Sequence, residues 1–378
     1  MKILFTCNEF PPFTYGGQGI FVHEISRQLA NMDHTVLVYG VYPSINTRIK
    51  EYVNNVLIIR DPLKYSETSL VNMLKNRIAY ARAINILSKS NNIDIIEAHD
   101  TGGWFLFFRN SRSLFIRLHN GERYFKKRGL RILLIERISF LLKPAYIIAI
   151  SEFILKRFKK YFIVLNPLNK YSIIHNGIYI KTVELPKNIV KKIVFAGTLK
   201  KIKGIDVLIQ GFISSEIMKE GYTLEIYGKD TEIAESLTYW DYLLDTIENL
   251  SNYVKSGIIR YHGPVKTDYL LNAFAESEIC VFPSHLESFG LVVIEAMSVG
   301  AITIYTKQGA ATEIIDDGAE GFLVEINNHQ ALSKKIVEVI GLPESQKKVI
   351  RQNAKRKAML FSIEKCANKT LELYNAEH

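Results

Sequence analysis

Short β-branched runs alternate with helical periods along nearly the whole chain, and the alternation starts twice. In the first half, strands are predicted over residues 2–7, 35–41, 93–97, 114–119, 146–150 and 172–175, with helices such as 19–31 and 67–90 between them. After the turn dipeptide Asn176-Gly177 comes a polar stretch containing Pro186, read as a linker over 181–192. Strands then resume over 193–196, 223–227, 258–261, 279–282 and 301–305, again with helices between, and three polar-faced helices (330–340, 344–359, 363–375) close the chain. Alternation of this kind builds parallel sheets covered by helices. Two such α/β domains are expected: 1–180, and 193–360 after the linker, with 361–378 forming a final helix that packs back toward the first domain. Doubly wound sheets bind ligands beyond their strand C-termini, so the two are expected to face a central crevice.

The 378 residues suffice for two domains, and 48% hydrophobic content suffices for their cores. Cys7, Cys280 and Cys366 are scattered, without Cys-x-x-Cys spacing, which points away from a disulfide framework or zinc ribbon and toward a reducing, cytoplasmic setting. The N-terminus reads as a first strand rather than a signal peptide. The apolar stretch 132–150 is interrupted by Glu136, Arg137, Lys143 and Pro144, too often for a spanning helix.

Net charge is +10, and it is localised. Residues 101–190 hold 17 Lys or Arg against four acids, hence +13, leaving −3 for the rest. A basic region suggests a polyanionic partner: nucleic acid, anionic lipid or a phosphorylated substrate.

The densest motif is HLESFGLVVIEAMSVG at 285–300. Glu287 and Glu295 lie eight apart, and Ser288-Phe289-Gly290 opens the helix that carries Glu295. The free N–H groups of a helix N-terminus suit a phosphate, and a carboxylate further along suits a ribose hydroxyl. The alternative is a capped amphipathic helix with two surface glutamates. A second motif, FAGTLKKIKG at 195–204, is a strand, a lysine-rich loop and a helix start. A third, PPFTYGGQGI at 11–20, is a glycine-rich turn before the first helix, without the Gly-x-Gly-x-x-Gly spacing of dinucleotide-binding proteins. His99 and His119 each end a strand, and no histidines pair at metal-ligand spacing.

Together these motifs resemble the retaining glycosyltransferases of family four (glycosyl transferases group one), over essentially the whole chain. The resemblance implies a GT-B fold of two Rossmann-like doubly wound domains. It implies that Glu287 lies at the donor sugar, that Glu295 holds the ribose, and that Ser288 and the amides around Phe289, Gly290 and Leu291 cradle the diphosphate. Lys203 matches the family's diphosphate-binding lysine, whereas Thr198 stands where many members carry Arg, leaving open whether Lys200 or Lys201 compensates. Gly16 and Gly17 match the first donor loop, and Gly228, Gly263 and Val265 match loops near the nucleobase. His119 matches the active-site histidine, with His99 and Arg123 on the acceptor side.

The expected activity is retaining transfer from a nucleotide sugar, with UDP as the expected base, to a saccharide or lipid-linked saccharide in envelope or exopolysaccharide synthesis. No Asp-x-Asp motif occurs, so no metal or other cofactor is expected. A glycosidase also uses two carboxylates, but a helical Glu295 beside a phosphate-type loop is a poor general acid. A GT-B sugar-nucleotide epimerase and a non-enzymatic polyanion binder are the alternatives. Basic residues Arg123, Lys126, Lys127, Arg128 and Arg131 run into Leu133, Leu134 and Ile135, and Lys156, Arg157, Lys159 and Lys160 follow. That pattern suits an ordinary helix with its apolar face in the first domain's core, and, if its basic edge faces outward, the anionic inner face of a plasma membrane; nucleic acid is not expected as a partner.

Overall fold

The structure, a computed structural model, describes residues 1–13, 17–109, 114–119, 130–143, 145–162, 166–181 and 189–377. It divides into two compact units, Met1–Tyr179 with Ser362–His378, and Ile180–Phe361.

The first unit is built on an eight-stranded sheet. Its strands are β1 (Lys2–Thr6), β2 (Thr35–Tyr42), β3 (Ile49–Val53), β4 (Val56–Pro62), β5 (Ile95–His99), β6 (Leu114–Leu118), β7 (Tyr146–Ala149) and β8 (Lys170–Ile173), in the order β3-β4-β2-β1-β5-β6-β7-β8. All neighbours are parallel except β3 and β4. β5 and β6 are buried at every position, because helices cover both faces of a parallel sheet, and such strands read as continuous apolar runs. Sequence reading finds those runs and passes over the β3–β4 hairpin. Its turn residues Asn54 and Asn55 both take the left-handed conformation (φ 50° and 64°), the signature of a tight two-residue turn. Polar β3 exposes alternate residues on the sheet edge, so no apolar run marks it.

The last helix, Ile363–Glu377, belongs to this unit. Ile363, Cys366, Ala367, Leu371 and Tyr374 join Ile3, Phe5, Phe21 and Ile25 in one core. Beneath it lies a buried polar network. Arg117 on β6 donates Nε and Nη2 to the Glu97 carboxylate on β5 at 2.8 and 3.1 Å, and Nη2 also reaches Thr370 Oγ1 at 3.0 Å. Tyr374 donates its hydroxyl to Glu97 at 2.6 Å.

The second unit carries β9 (Val190–Ala196), β10 (Thr223–Tyr227), a short antiparallel hairpin β11 (Glu232–Ala234) and β12 (Leu237–Thr238), then β13 (Ile259–Tyr261), β14 (Ser277–Phe282), β15 (Thr303–Thr306) and β16 (Phe322–Val324). Its main sheet is wholly parallel, in the order β13-β10-β9-β14-β15-β16. One boundary of the expected linker is corrected: Val190, Lys191 and Lys192 are the first residues of β9, with Val190 paired to Ser277 and Lys192 to Thr223. This end of the strand is open to solvent, so lysines sit there without a burial cost and the stretch reads as polar linker. Residues 182–188 of that linker lie outside the described residues. No helix among the described residues is long and apolar enough to cross a membrane.

Candidate active site

In the second unit, three loops leave the C-terminal ends of adjacent strands β9, β10 and β13 and bond to one another through the main chain. Gly197 N donates to Tyr227 O at 3.0 Å, and Gly228 N to Gly263 O at 2.9 Å. Gly228 has φ +139°, and a Cβ there would lie 1.9 Å from Gly197 O, so neither the conformation nor the space admits a side chain. Tyr261 fixes the same loop by donating its hydroxyl to Gly228 O at 3.0 Å. Tyr227 stacks on His262 with ring centroids 4.6 Å apart. His262 Nε2 in turn meets the Glu225 carboxylate at 2.6 Å. Burial alone would raise the Glu225 pKa, but bonds from His262 and Thr223 and the charge of Arg260 outweigh it and hold the carboxyl below its usual range. The result is a rigid platform of backbone and aromatic surface, with Val265 half-buried beside it.

The lysine-rich loop beyond β9 is tied to the loop that follows β14. His285 N donates to Ile202 O at 2.8 Å, which places Lys203 against the glutamate of the first motif: Lys203 Nζ is ion-paired with Glu287. Both side chains are partly exposed, whereas Lys200 and Lys201 point into solvent and Thr198 is half-buried in the loop after β9. Three residues on, Gly290 (φ +95°) caps helix Leu291–Ser298 without a side chain. A Cβ on Gly290 would stand 2.8 Å from the Tyr305 hydroxyl, which is buried with no hydrogen-bond partner among the described residues. Burial, then the charge of Glu287, pushes the pKa of that phenol up. The Phe289 ring is buried against Phe361, at 5.7 Å between centroids, so only the main chain of Phe289 is available to a ligand. Ser288 precedes it in the same loop, and half-buried Leu291 and Glu295 lie on the helix itself.

In the first unit, the C-terminal ends of β5 and β6 bring His99, His119, Glu97 and Arg117, with Thr6 of β1 and Gln18 of the first helix, around one small hollow. His119 packs on Phe21, 5.1 Å between centroids, and its main-chain N–H reaches Asp100 at 3.5 Å. Burial, and then the charges of Arg117 and His99, drive its pKa well below the usual histidine value. The imidazole is therefore neutral at pH 7 and can accept or donate a hydrogen bond without carrying charge. His99 is buried, its Nδ1 3.2 Å from both Thr6 Oγ1 and Thr6 O. Gly17 opens helix Gly17–Asn31, and Glu9 accepts from Gly19 N at 3.0 Å at that helix start. Burial raises the Glu9 pKa. Gly16 and Arg123 lie outside the described residues. Glu9, Gln18, Arg117 and Tyr305 were not singled out by sequence. Each is a single polar residue within an apolar or loop context, and only its spatial neighbours distinguish it.

Two family profiles match the chain: one described as glycosyl transferases group 1 over residues 180–357, the other as glycosyltransferase family 4 over residues 15–181. The chain belongs to the group 1 glycosyltransferases. An uncharacterized glycosyltransferase of Methanocaldococcus jannaschii is 26% identical over 99% of this chain and 98% of its own. The capsular polysaccharide biosynthesis glycosyltransferase CapM of Staphylococcus aureus is 30% identical over 43% of this chain and 40% of its own, less than half of either. Among solved structures, Anabaena HepE in complex with UDP and glucose superposes with a TM-score of 0.72 at 18% identity, covering 99% of each chain. That likeness establishes the GT-B fold. In this glycosyltransferase the residues named from sequence thus fall into two groups, one per unit: the glycine loops, Lys203, Glu287 and the Gly290-capped helix in one, and His119 with His99 in the other.

Proposed function

We propose that this glycosyltransferase moves a hexosyl group from a UDP-sugar to a saccharide or lipid-linked saccharide acceptor, with retention and without a metal ion, in the synthesis of an envelope or extracellular polysaccharide. The observation that carries the reading is the Lys203–Glu287 pair beside the Gly290-capped helix. A cation, a helix start and a carboxylate meet at one place, suited respectively to a diphosphate and to sugar hydroxyls. HepE, with UDP and glucose, supports the donor class, and CapM supports the pathway.

In the reaction, the anomeric C–O bond breaks and the nucleoside diphosphate leaves with the electron pair. The acceptor oxygen bonds to the anomeric carbon from the same face, and its proton passes to a phosphate oxygen. Charge developing on the leaving group is met by Lys203 and by the helix N-terminus, the latter worth up to ~2 kcal/mol in a partly buried setting. Glu287 orients the sugar, and neutral His119 is the first unit's hydrogen-bonding group for a substrate hydroxyl. Glu295 takes the ribose, and the Gly228 and Gly263 loops meet the base.

The test is a panel of UDP-, GDP- and ADP-sugars assayed for nucleotide release and product anomer, with and without chelator. Release from no member, an inverted product, or an absolute Mg²⁺ requirement each overturns the matching part. The membrane reading rests on helix Leu130–Leu142, whose Leu130 and Leu142 are 81% and 61% exposed, and on the exposed Lys156, Lys159 and Lys160 nearby in sequence. Binding to anionic vesicles that weakens with added salt is its expected outcome.

A further inference from the structure

On the flank of the first unit, a pocket of about 240 Å³ opens between helix Leu70–Asn91, strand β2 and the end of β4. Its walls include Tyr39, Asp61, Lys64, Tyr80, Arg82 and Trp104, and it shares no residue with the hollow around His119. The volume falls below the about 300 Å³ at which pockets for drug-sized ligands begin, so it suits one ring rather than a nucleotide.

The polar groups of this pocket are unequally matched. Asp61 accepts from Arg48 Nε and Nη2 at 2.6 and 2.8 Å and from the Tyr39 hydroxyl at 2.9 Å. Burial alone would raise the Asp61 pKa; these bonds, with the charge of Lys64 behind them, hold it below the usual carboxylate range. Arg48 is thereby neutralised. Lys64 and Arg82 also line the pocket, and among the described residues neither makes a hydrogen bond or an ion pair. The pocket wall therefore carries two cations without a directly bonded carboxylate, Lys64 acting on Asp61 only through its charge. Trp104 adds an indole wall, held by Arg77 over its ring at 4.1 Å and by Tyr80 inclined 52° to it at 4.9 Å. The charge of Arg77 is itself taken by Glu67. An aromatic wall beside cations that lack a directly bonded carboxylate matches an apolar ring face bearing an anionic substituent.

We propose that this pocket binds a single anionic sugar, a monosaccharide bearing a carboxylate or a phosphate, at a site distinct from the proposed donor and acceptor positions. The choice of a sugar rests on the glycosyltransferase reading; the negative charge and the one-ring size rest on the pocket itself. Arg82 and Lys64 take the anionic group, Tyr80 and Trp104 take the ring, and the Arg48–Asp61 pair forms the floor.

The test is calorimetric titration of the intact protein with glucuronate, glucose 6-phosphate, glucose and inorganic phosphate. Glucuronate or glucose 6-phosphate should bind at least about tenfold more tightly than glucose and phosphate, the factor expected from losing one charge-assisted contact. Which of the two binds better identifies the anionic group. Arg82→Ala, an exposed position that leaves the core intact, should weaken binding by about the same factor. Trp104→Phe should abolish any ligand-induced change in tryptophan emission while Trp240 still emits. Equal binding of glucose, equal binding of inorganic phosphate, indifference to Arg82→Ala, or no binding at all overturns the proposal. Nucleotide-sugar turnover on the same preparation separates the two readings: turnover without sugar binding removes this pocket alone, and sugar binding without turnover removes the transferase reading alone.

Discussion

Lys203 on the loop after β9 is ion-paired with Glu287 on the loop after β14, 84 residues further along the chain. The pair holds the expected diphosphate ligand and the expected sugar ligand against each other, so a bound donor has to exchange the carboxylate on Lys203 for a phosphate. Lys203→Ala should weaken UDP binding by about tenfold or more, the scale of one charge-assisted hydrogen bond. Glu287→Gln should leave UDP binding unchanged or tighter, because it releases the lysine, while turnover of the UDP-sugar falls. Calorimetry with UDP alone checks both variants, and unchanged affinity in Lys203→Ala would remove the lysine from the site.

Gly290 and Tyr305 make a second pair with opposite expected effects. Gly290→Ala places a methyl at φ +95° and 2.8 Å from the Tyr305 hydroxyl, so it should lower the unfolding midpoint and weaken donor binding together. Tyr305→Phe deletes a buried hydroxyl that has no partner among the described residues. Since that hydroxyl loses its water on folding and regains no bond, the change should be neutral or stabilising by up to ~1 kcal/mol. It should also soften the Gly290→Ala defect in the double variant. Thermal unfolding of the four proteins of this cycle decides it, and a strongly destabilised Tyr305→Phe would show that the hydroxyl is satisfied.

Much of this was legible in the sequence because parallel sheets bury their strands on both faces, so β1, β5, β6, β9 and β14 announce themselves as apolar runs. The Glu287–Glu295 spacing and the glycines at 228, 263 and 290 are likewise local patterns. What was not legible depends on pairing across distance. Strand β3 is polar and lies at the edge, whereas its partner β4 is a buried apolar run that sequence reading passed over. The start of β9 carries lysines because its end of the strand is open. Nothing in the chain near Lys203 says that its partner is Glu287, and Arg117 is an unexplained charge in an apolar strand until Glu97 and the last helix are brought to it.

His119 supplies a pH prediction. Its pKa is well below 6.5 in the folded chain, through burial and then the charges of Arg117 and His99, whereas in the unfolded chain it returns to about 6.5. Between those values the unfolded state binds the extra proton, so stability falls as pH drops below about 6.5 and is fully present above it. His119→Gln should flatten this part of the profile between about pH 5 and 7. Unfolding midpoints across that range test it, and an identical slope in the variant would assign the dependence to another group, such as His34, whose pKa is also lowered by burial.

The last helix is held to the first unit by charge as well as by apolar packing, and the two contributions separate by substitution. Glu97→Gln leaves Arg117 buried without its counter-charge, the situation that costs about 3–5 kcal/mol when one member of a buried pair is removed. Tyr374→Phe removes one bond to the same carboxylate and should cost roughly 1–3 kcal/mol. Because both changes act on Glu97, they should not add: in the double variant the tyrosine change costs less than it does alone. Arg117→Met together with Glu97→Leu replaces the pair by apolar groups of similar size and should recover most of the stability lost in Glu97→Gln. Denaturant unfolding of the five proteins measures all of this. If Glu97→Gln and Tyr374→Phe are additive, the carboxylate is not the shared anchor, and the helix is held chiefly by the apolar packing of Ile363, Cys366, Ala367, Leu371 and Tyr374.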